Sequence, residues 1–502
     1  MNYQPKKIAF FIIISLLLLF LVTKLSKANE LTNGKIQDGF VIGSTVVKFP
    51  TTETFLMNET ALKEEKIKTV DSILNNIEVV VENQEETTEI KEDLVKPEKQ
   101  PFIPTLPDFN KIDTSKIRRI NYPEDKAAFL NQLKTNLQSG SCRIIHYGDS
   151  QIEGDRMSAY IRNRLQNLYN GKGPGFIPIV QAYEHISAVV TPSENWTRHA
   201  YFNPRETKFT HKKYGVYNSF SRFTPLYTRE KDSLIFDSLP SVQATIKISP
   251  SKKSFSNLRS FTNIGLHYGN ATAPTTINVY NGETLVKSGN LITDGNYHNF
   301  KIILPTTPES LRIELESIIS PDFYGVTLDG SEGVSLDNVA MRGSSGTVFS
   351  GTSDSNFSQM LNELNPKIVI MQYGGNTVPY LKDSTSVDNY SRYLQNHINW
   401  IKRKTSKTNF IFIGPSDMTT TENGQLRTYK LLPYLNKKLL EMCTSNNVAY
   451  WSMYDAMGGE NSMQHWVDQK LAGTDYTHFT MSGNKLISEL FFMSLYLDLT
   501  KK

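Results

Sequence analysis

From residue 116 onward, except in a middle stretch, hydrophobic positions follow the pattern of alternating strands and helices. Continuous apolar runs predict buried strands at 143–147, 367–373, 410–413 and 448–453. Segments with helical spacing predict helices at 127–137, 157–168, 390–403, 426–442 and 482–497. Asp155 is the predicted N-cap of the second of these helices. Apolar strands that alternate with helices are typical of a parallel α/β sheet covered on both faces.

The middle stretch, 191–332, has short alternating runs and no convincing helical segment. The Asn281-Gly282 dipeptide between two of these runs predicts a two-residue hairpin turn. The pattern is typical of a β-sandwich, and because it interrupts the α/β pattern we interpret it as an inserted domain. The α/β domain is then discontinuous and consists of 116–190 and 333–502. The predicted strands of the insert are 242–248, 263–267, 276–280, 284–287, 299–304 and 310–315.

The N-terminal part of the chain predicts no folded domain. An apolar run at 8–22 has lysines on both sides, which indicates an export signal. Residues 1–28 are interpreted as a signal anchor, with a signal peptide cleaved near Ser26-Lys27-Ala28 as the alternative. Residues 29–115 are rich in Glu and Lys and end in spaced prolines, which predicts a disordered tether. The folded part is therefore expected in the periplasm or outside the cell.

Composition excludes several classes of function. Hydrophobic residues make up 39% of the 502 positions, enough for real cores, and the net charge of +4 gives no global signature of nucleic-acid binding. Cys142 and Cys443 are the two cysteines, and they lie far apart without a Cys/His cluster. We therefore expect neither a disulfide framework nor a zinc site, and no metal.

Ser150 ends the first predicted strand, directly before the next predicted helix. A serine at the tip of a strand suits a nucleophile, although Gly-Asp-Ser alone also fits a simple turn. Asp475 and His478 are three residues apart before the last helix, a spacing that suits a general base and the acid that orients it. Asn376 follows Gly374-Gly375 at another strand end, where an amide can serve as an oxyanion donor or simply belong to a β-turn.

Taken together, these motifs resemble the four blocks of the SGNH (GDSL) hydrolase superfamily. The resemblance covers 116–190 and 333–500 and implies a flavodoxin-like, three-layer α/β fold. The blocks occur in the family's order: Gly148-Asp149-Ser150, then Gly343, then Gly374-Gly375-Asn376, then Asp475-x-x-His478.

The resemblance also implies the role of each residue. Ser150 is expected to be the nucleophile, His478 the general base and Asp475 the residue that orients His478. The oxyanion hole is expected to consist of the Ser150 N–H, the Gly343 N–H and the Asn376 side chain. Gly346 is the alternative to Gly343, because the glycine block is degenerate. The mechanism requires no metal or organic cofactor.

The layout is similar to that of cell-envelope peptidoglycan O-acetylesterases, with a carbohydrate-binding-like β-sandwich inserted after the serine block. Gln151, His146 and Gly375 are candidate substrate-binding residues, although His146 alternates with Ile145 and then points to the other side of its strand. Four aromatic residues of the insert are expected either to stack on sugar rings or to belong to the core: Trp196, Tyr201, Tyr214 and Tyr217.

Three functions fit these features. The first is an esterase that removes O-acetyl or other small acyl groups from an envelope or extracellular polysaccharide through an acyl-serine intermediate. The second is a membrane-tethered polysaccharide O-acyltransferase with the same triad, and the third is a non-catalytic glycan-binding protein. The expected partners are an acylated glycan and, through the N-terminal helix, a membrane, but no nucleic acid. The oligomeric state is open.

Overall fold

The computed structural model describes residues 14–15, 22–24, 26–30, 36–42, 45–49, 102–107, 113–226 and 239–500. Contacts between residues divide the chain into two units, Met1–Thr69 with Thr420–Arg427 and Val70–Thr419 with Thr428–Lys502. The apolar run at 8–22 and most of the predicted tether lie outside the described residues. Within the described ranges, no helix has both the length and the apolar character that a membrane span requires.

The first unit contains a three-stranded antiparallel sheet near the N-terminus. Its strands are β1 (Lys27–Glu30), β2 (Ile36–Ile42) and β3 (Thr45–Lys48), in that order. A disordered tether is predicted from residue 29, and the structure differs at the start of that stretch. The physical reason is local composition, because β2 and β3 are rich in the β-branched residues that favour strands.

The remaining strands and the helices are numbered in chain order. The strands are β4 (Ser141–Gly148), β5 (Gly175–Ile177), β6 (Ala188–Pro192), β7 (Thr197–Ala200), β8 (Ser219–Arg222), β9 (Val242–Pro250), β10 (Asn263–Gly269), β11 (Thr275–Asn281), β12 (Thr284–Asn290), β13 (His298–Ile303), β14 (Leu311–Ser317), β15 (Asp322–Asp329), β16 (Gly333–Ala340), β17 (Ile368–Gln372), β18 (Asn409–Ile413), β19 (Thr419–Glu422), β20 (Gln425–Thr428) and β21 (Ala449–Trp451). The helices are α1 (Lys126–Leu137), α2 (Ser158–Tyr169), α3 (Ser256–Arg259), α4 (Asp354–Leu364), α5 (Ser384–Lys402), α6 (Leu432–Ser445), α7 (Met453–Ala456), α8 (Ser462–Asp468) and α9 (Met481–Thr500).

A five-stranded parallel sheet forms the centre of the α/β domain. Its spatial order is β16-β4-β17-β18-β21, and all four pairings are parallel. Numbered by their appearance within this sheet, the strands follow the order 2-1-3-4-5, which is the flavodoxin-like order. The predicted α/β sheet is therefore confirmed, with β16 as a strand that the hydrophobic pattern did not predict.

Helices cover both faces of this sheet and bury a core on each. On one face, α1, α2 and α9 contribute side chains such as Leu133, Ile161 and Phe491. On the other, α4, α5 and α6 contribute side chains that include Leu394 and Leu439. The result is a three-layer arrangement, because the strands are apolar on both sides and must be buried on both.

Two antiparallel sheets form the inserted sandwich. One has the order β13-β10-β15-β8-β7 with β5 paired to β15, and the other has the order β12-β11-β14-β9-β6. Alternating apolar residues from both sheets, such as Ile246, Leu266 and Ile313, meet in a shared core. The predicted start of the insert at residue 191 is too late. The short strands β5 and β6 already belong to the sandwich sheets, and their few residues gave no clear alternation.

Three local predictions differ from the structure. Asn281 pairs with Thr284, so the hairpin turn is Gly282-Glu283 rather than Asn281-Gly282. The helix predicted from residue 426 begins at Leu432, because the preceding residues form β20. Asp155 does not cap α2. It lies before the helix with a positive φ of 71° and pairs with Arg162 at 2.7 Å. Both side chains are fully buried, and a buried carboxylate is stable only when a cation or hydrogen bonds compensate its charge.

Candidate active site

The nucleophile candidate lies at the carboxyl end of β4, beside β17. A 3₁₀ turn, Ser150–Asp155, follows the strand, and the Asp149 carboxylate accepts a hydrogen bond from the Gln151 N–H at 3.0 Å. Gly148 lets the turn fold back, because a Cβ there would lie 2.8 Å from Ile152 Cδ1. In open α/β sheets, ligands bind at the carboxyl ends where the strand order reverses, and in the order 2-1-3 that point is between β4 and β17.

Ser150, His478 and Asp475 form one hydrogen-bonded chain. Ser150 Oγ is 2.8 Å from His478 Nε2, and His478 Nδ1 is 2.7 Å from Asp475 Oδ2. The other carboxylate oxygen of Asp475 accepts the backbone N–H groups of Thr477 and His478, both at 3.0 Å. Burial raises the pKa of Asp475, but the hydrogen bonds from His478 and Thr477 outweigh it and hold that pKa below its ordinary value. Ionised Asp475 fixes the Nδ1–H tautomer, which leaves Nε2 to accept the serine proton.

Gln151 joins the two segments that carry the triad. Its Nε2 donates to the Thr477 carbonyl at 2.6 Å, so the nucleophile turn and the 475–478 loop are held together. Gln151 and Gly375 also line the cleft beside Ser150, and their contact with substrate stays a prediction. His146 does not line it.

His146 is fully buried beneath the site. It contacts Gln372 Oε1 at 3.2 Å through Nε2 and Ser158 Oγ at 2.9 Å through Nδ1. Burial lowers the pKa of His146 to about 4. The burial of His146 contradicts its proposed contact with substrate, because the residue lies on the side of β4 that faces α2.

Asn376 lies in the 3₁₀ turn Gly375–Tyr380, which follows β17. Its Nδ2 donates to Asp149 Oδ2 and to the Ser344 carbonyl, both at 3.1 Å. An amide nitrogen carries two hydrogens, so both are engaged. An oxyanion on the Ser150 side would compete with the Ser344 carbonyl for one of them.

The two candidate glycines of the second block differ clearly. The Gly346 N–H donates to Ser344 Oγ at 3.2 Å, and a Cβ on Gly346 would lie 2.7 Å from the Tyr373 ring. Gly346 therefore faces the interior. Around Gly343, by contrast, a Cβ would meet nothing within 4 Å. Because the Gly346 N–H is already donated to Ser344, Gly343 is the better candidate for an oxyanion donor.

Asp149 is a site residue that the sequence did not single out for a role. Burial raises the pKa of Asp149 to about 6, against the lowering effects of the Gln151 N–H and the nearby His478. Its two carboxylate oxygens accept from Gln151 and from Asn376, so it connects the nucleophile turn to the candidate oxyanion donor. The Gly148-Asp149-Ser150 motif contains Asp149, but its contact with Asn376 is visible only in the structure.

An open cleft of ≈ 250 Å³ lies against Ser150 and His478. The Gly414-Pro415-Ser416 segment could have been found from sequence, because it follows a predicted strand at the same edge of the sheet. The other wall residues carry no local signal. Residues that sequence reasoning missed include Pro379, Tyr380, Pro415, Met418 and Tyr429.

The insert's aromatic residues are part of the core. Trp196, Tyr214 and Tyr217 are 7%, 1% and 1% exposed, and Tyr201 packs against a core cluster. Stacking on sugar rings is therefore excluded for the three buried residues, and the core alternative is confirmed for them. In the described part of the chain, no group of three or more His, Cys, Asp or Glu side chains is placed to hold a metal ion.

Comparison with known proteins supports this architecture. No protein-family model and no curated protein matches the chain. A solved peptidoglycan O-acetylesterase is similar over 75% of this chain and 97% of its own length, with 17% identity and a TM-score of 0.57. This chain therefore shares the fold of that solved structure over the aligned part.

Two further solved structures align with this chain at much lower TM-scores. A family two carbohydrate esterase from Clostridium thermocellum in complex with cellohexaose has a TM-score of 0.23 and 10% identity, over 50% of this chain and 90% of its own. A salicylyl-acyltransferase from a tetracycline biosynthetic pathway has a TM-score of 0.24 and 11% identity, over 61% and 96%.

Proposed function

We propose that this protein is a serine esterase that removes O-acetyl groups from an envelope or extracellular polysaccharide. The observation that carries the proposal is the hydrogen-bonded chain from Ser150 Oγ through His478 to Asp475, with links of 2.8 and 2.7 Å. Such a chain can activate a serine at neutral pH. The fold shared with a peptidoglycan O-acetylesterase supports a glycan ester as the substrate class.

In the proposed reaction, Ser150 Oγ attacks the acetyl carbonyl carbon while His478 Nε2 takes the hydroxyl proton. The tetrahedral oxyanion is stabilised by the N–H groups of Ser150 and Gly343 and by Asn376, each donor contributing roughly 2.7–4 kcal/mol. The C–O bond to the sugar then breaks, and His478 returns the proton to the sugar oxygen. Water, deprotonated by His478, attacks acetyl-Ser150 and releases acetate and the free serine.

The test is acetate release by the full chain from 4-nitrophenyl acetate and from O-acetylated peptidoglycan. Ser150→Ala is expected to abolish turnover of both substrates, because the nucleophile is removed. Ser355→Ala, at an exposed position on α4, is the matched control and is expected to keep wild-type rates. Acetate release that persists in Ser150→Ala would contradict the proposal.

Hydrolysis rather than acyl transfer is favoured by the exposure of the catalytic base. The His478 and Asp475 side chains are 36% and 54% exposed, so water reaches the acyl-enzyme freely. Transfer to a sugar hydroxyl would use the same residues. With an added deacetylated oligosaccharide, we expect free acetate to exceed acetylated oligosaccharide, and the reverse ratio would identify an acyltransferase.

We also propose that the protein is exported and held at a membrane by its N-terminus. The support is the lysine-flanked apolar run at 8–22. Cell fractionation is expected to place the full chain with membranes, resistant to high salt. Deletion of residues 1–28 should leave the protein in the cytoplasm, and recovery of the full chain from the cytoplasm would contradict the proposal.

A further inference from the structure

Three arginines surround the nucleophile turn. Arg156 lies closest to the nucleophile itself, because its Nη2 donates to the Ser150 carbonyl at 2.6 Å and its Nε to the Glu153 carbonyl at 2.7 Å. Arg342 immediately precedes Gly343, and its Nη1 lies 3.0 Å from Glu153 Oε2. Arg198 reaches the same region from the insert. Positive charge therefore accumulates beside the proposed site of acyl transfer.

A second, smaller cleft begins at Glu153, three residues after the nucleophile. Its lining includes Glu153, Tyr183, Arg198 and Asn338, and its volume is ≈ 40 Å³. A single water needs about 10–15 Å³ by this kind of measure, so the cleft holds about three water-sized groups. That is the size of a carboxylate group with its three heavy atoms.

Arg198 has a hydrogen-bonding capacity that the protein does not use. Its Nη2 donates to Ser219 Oγ at 3.1 Å, but its Nε is buried with no hydrogen-bond partner among the described residues. No carboxylate among the described residues lies within ion-pair distance of its guanidinium group. A buried donor without an acceptor is costly, so a group that supplies an acceptor here would be bound favourably.

Direct ion pairing of the three arginines is limited. Among the described residues, Glu153 is the one carboxylate within ion-pair distance of any of the three arginines, through its contact with Arg342. Three guanidinium groups thus share one directly paired carboxylate. Burial lowers the pKa of both Arg156 and Arg198, although Glu206 lies near Arg198 and partly offsets that effect.

Arg342 lies beside the cleft, where it contacts two of the lining residues, Glu153 and Tyr183. Its guanidinium group lies 5.0 Å from the centre of the Tyr183 ring, and it also donates to the Tyr183 hydroxyl. The Arg342 side chain is 56% exposed, so its ion pair with Glu153 is worth little in water and can be shared with a ligand. The Nε–H and Nη2 donors of Arg342 have no protein acceptor among the described residues.

We propose that this arginine cluster is a subsite for a carboxylate on the substrate glycan, so that the preferred substrate is an O-acetylated acidic saccharide. A carboxylate matches the planar fork of a guanidinium group and forms paired, charge-assisted hydrogen bonds with it. The inference rests on the proposed esterase function, because it places the acidic group next to the nucleophile turn. Neutral acetylated polysaccharides are then the poorer substrates.

The first experiment compares two substrates that differ in one charge. They are a mono-O-acetylated methyl glycoside of a uronic acid and the primary amide of the same compound. The wild-type kcat/KM for the acid is expected to exceed that for the amide about tenfold or more, the effect of one charge-assisted hydrogen bond. Arg342→Ala is expected to bring the ratio close to one, and Arg342→Lys to restore part of it.

Arg403→Ala is the matched control, because Arg403 is an exposed arginine at the end of α5 and has no part in the site. It is expected to keep the wild-type ratio. A wild-type ratio near one, or a preference for the acid that survives Arg342→Ala, would overturn the subsite. Circular dichroism melts check that each variant is folded.

A binding measurement separates this proposal from the esterase proposal. Ser150→Ala protein is titrated by calorimetry with the deacetylated uronic acid glycoside and with its amide. Tighter binding of the acid, lost in the Ser150→Ala/Arg342→Ala double variant, supports the subsite even if the esterase proposal fails. Equal binding of acid and amide overturns the subsite, even if Ser150→Ala has abolished hydrolysis.

Discussion

At the scale of single residues, Asp149 links the nucleophile to the candidate oxyanion hole. Its carboxylate accepts from the Gln151 N–H and from Asn376 Nδ2. An asparagine at this position can still accept from Gln151, but its NH₂ group then faces the NH₂ group of Asn376. The oxyanion donor is therefore no longer held.

The first prediction follows from this contact. Asp149→Asn is expected to lower kcat for 4-nitrophenyl acetate by about 10²–10³-fold, the effect of losing one oxyanion donor. Asn376→Ala should lose a similar factor, and the double variant little more than either, because both changes remove one interaction. Fully multiplicative losses in the double variant would show that the two residues act independently.

His146 gives a prediction about acid stability. Burial lowers its folded-state pKa to about 4, from 6.5. The stability contributed by the neutral ring is therefore fully present above pH 6.5 and is lost as the pH falls toward 4. By pH 4.5 the loss amounts to about 2–3 kcal/mol.

The measurement is urea unfolding of wild type and His146→Gln at pH 7.5 and pH 4.5. The variant is expected to be less stable at pH 7.5, because the histidine contacts with Gln372 and Ser158 are changed. Between the two pH values, wild type should lose about 2–3 kcal/mol more than the variant. Parallel losses in the two proteins would rule out His146 as an acid-sensitive group.

At the scale of elements, continuous apolar runs predicted strands correctly, whereas a strand that mixes apolar and polar residues was not predicted. The strands β4, β17 and β18 are predicted because they are buried on both faces. By contrast, β16 contains a buried Asp337 that pairs with Arg143 of the neighbouring strand, so its polarity hides it from a hydrophobic pattern. Arg143 and Asp337 are far apart in the sequence, so no local pattern predicts their ion pair.

Gly175 marks where the chain leaves the α/β domain and enters the sandwich. Its φ is +72°, and a Cβ there would overlap the carbonyl oxygen of Leu336. Gly140 has nearly the same φ, +74°, but a Cβ there would meet nothing within 4 Å. Alanine at Gly140 therefore tests backbone strain alone, and alanine at Gly175 tests backbone strain together with steric overlap.

The third prediction compares alanine at these two positions. Gly140→Ala is expected to cost about 1–2 kcal/mol of unfolding free energy, from the left-handed backbone alone. Gly175→Ala should cost at least about 2 kcal/mol more, because the overlap forces β5 away from β16. Urea denaturation measures both, and equal costs would show that the junction relaxes freely.

At the scale of the whole molecule, the meeting of the nucleophile and the candidate oxyanion donor could be predicted from the topology of the parallel sheet. Ser150 and Asn376 follow neighbouring parallel strands, so their motifs meet at one edge of the sheet. The walls of the cleft could not be predicted, since Met418 and Tyr429 are positioned by loop conformations with no periodic signal. The arginine cluster could not be predicted either, because its members come from three segments that are distant in the sequence.

The sandwich and the parallel sheet are joined through a buried ion cluster. Arg143 of β4 pairs with Asp337 of β16 and with Asp329 at the end of β15. Asp337 also accepts from the Phe176 N–H at 3.1 Å and from the Tyr217 hydroxyl at 3.2 Å, both in the insert. Removing the cation leaves two carboxylates without compensation at the junction of the two domains.

Arg143→Met is therefore expected to cost about 3–5 kcal/mol of unfolding free energy, the effect of breaking a buried ion pair from one side. Converting Asp329 and Asp337 to asparagine in the same chain should recover most of that loss, because no uncompensated charge remains. The exposed control Arg403→Ala should change stability by no more than about 0.5 kcal/mol. Urea unfolding is followed by far-ultraviolet circular dichroism and by tryptophan fluorescence, and the two curves should coincide in wild type if the junction couples the domains. A cost below about 1 kcal/mol for Arg143→Met would show that contacts other than this cluster hold the sandwich on the sheet.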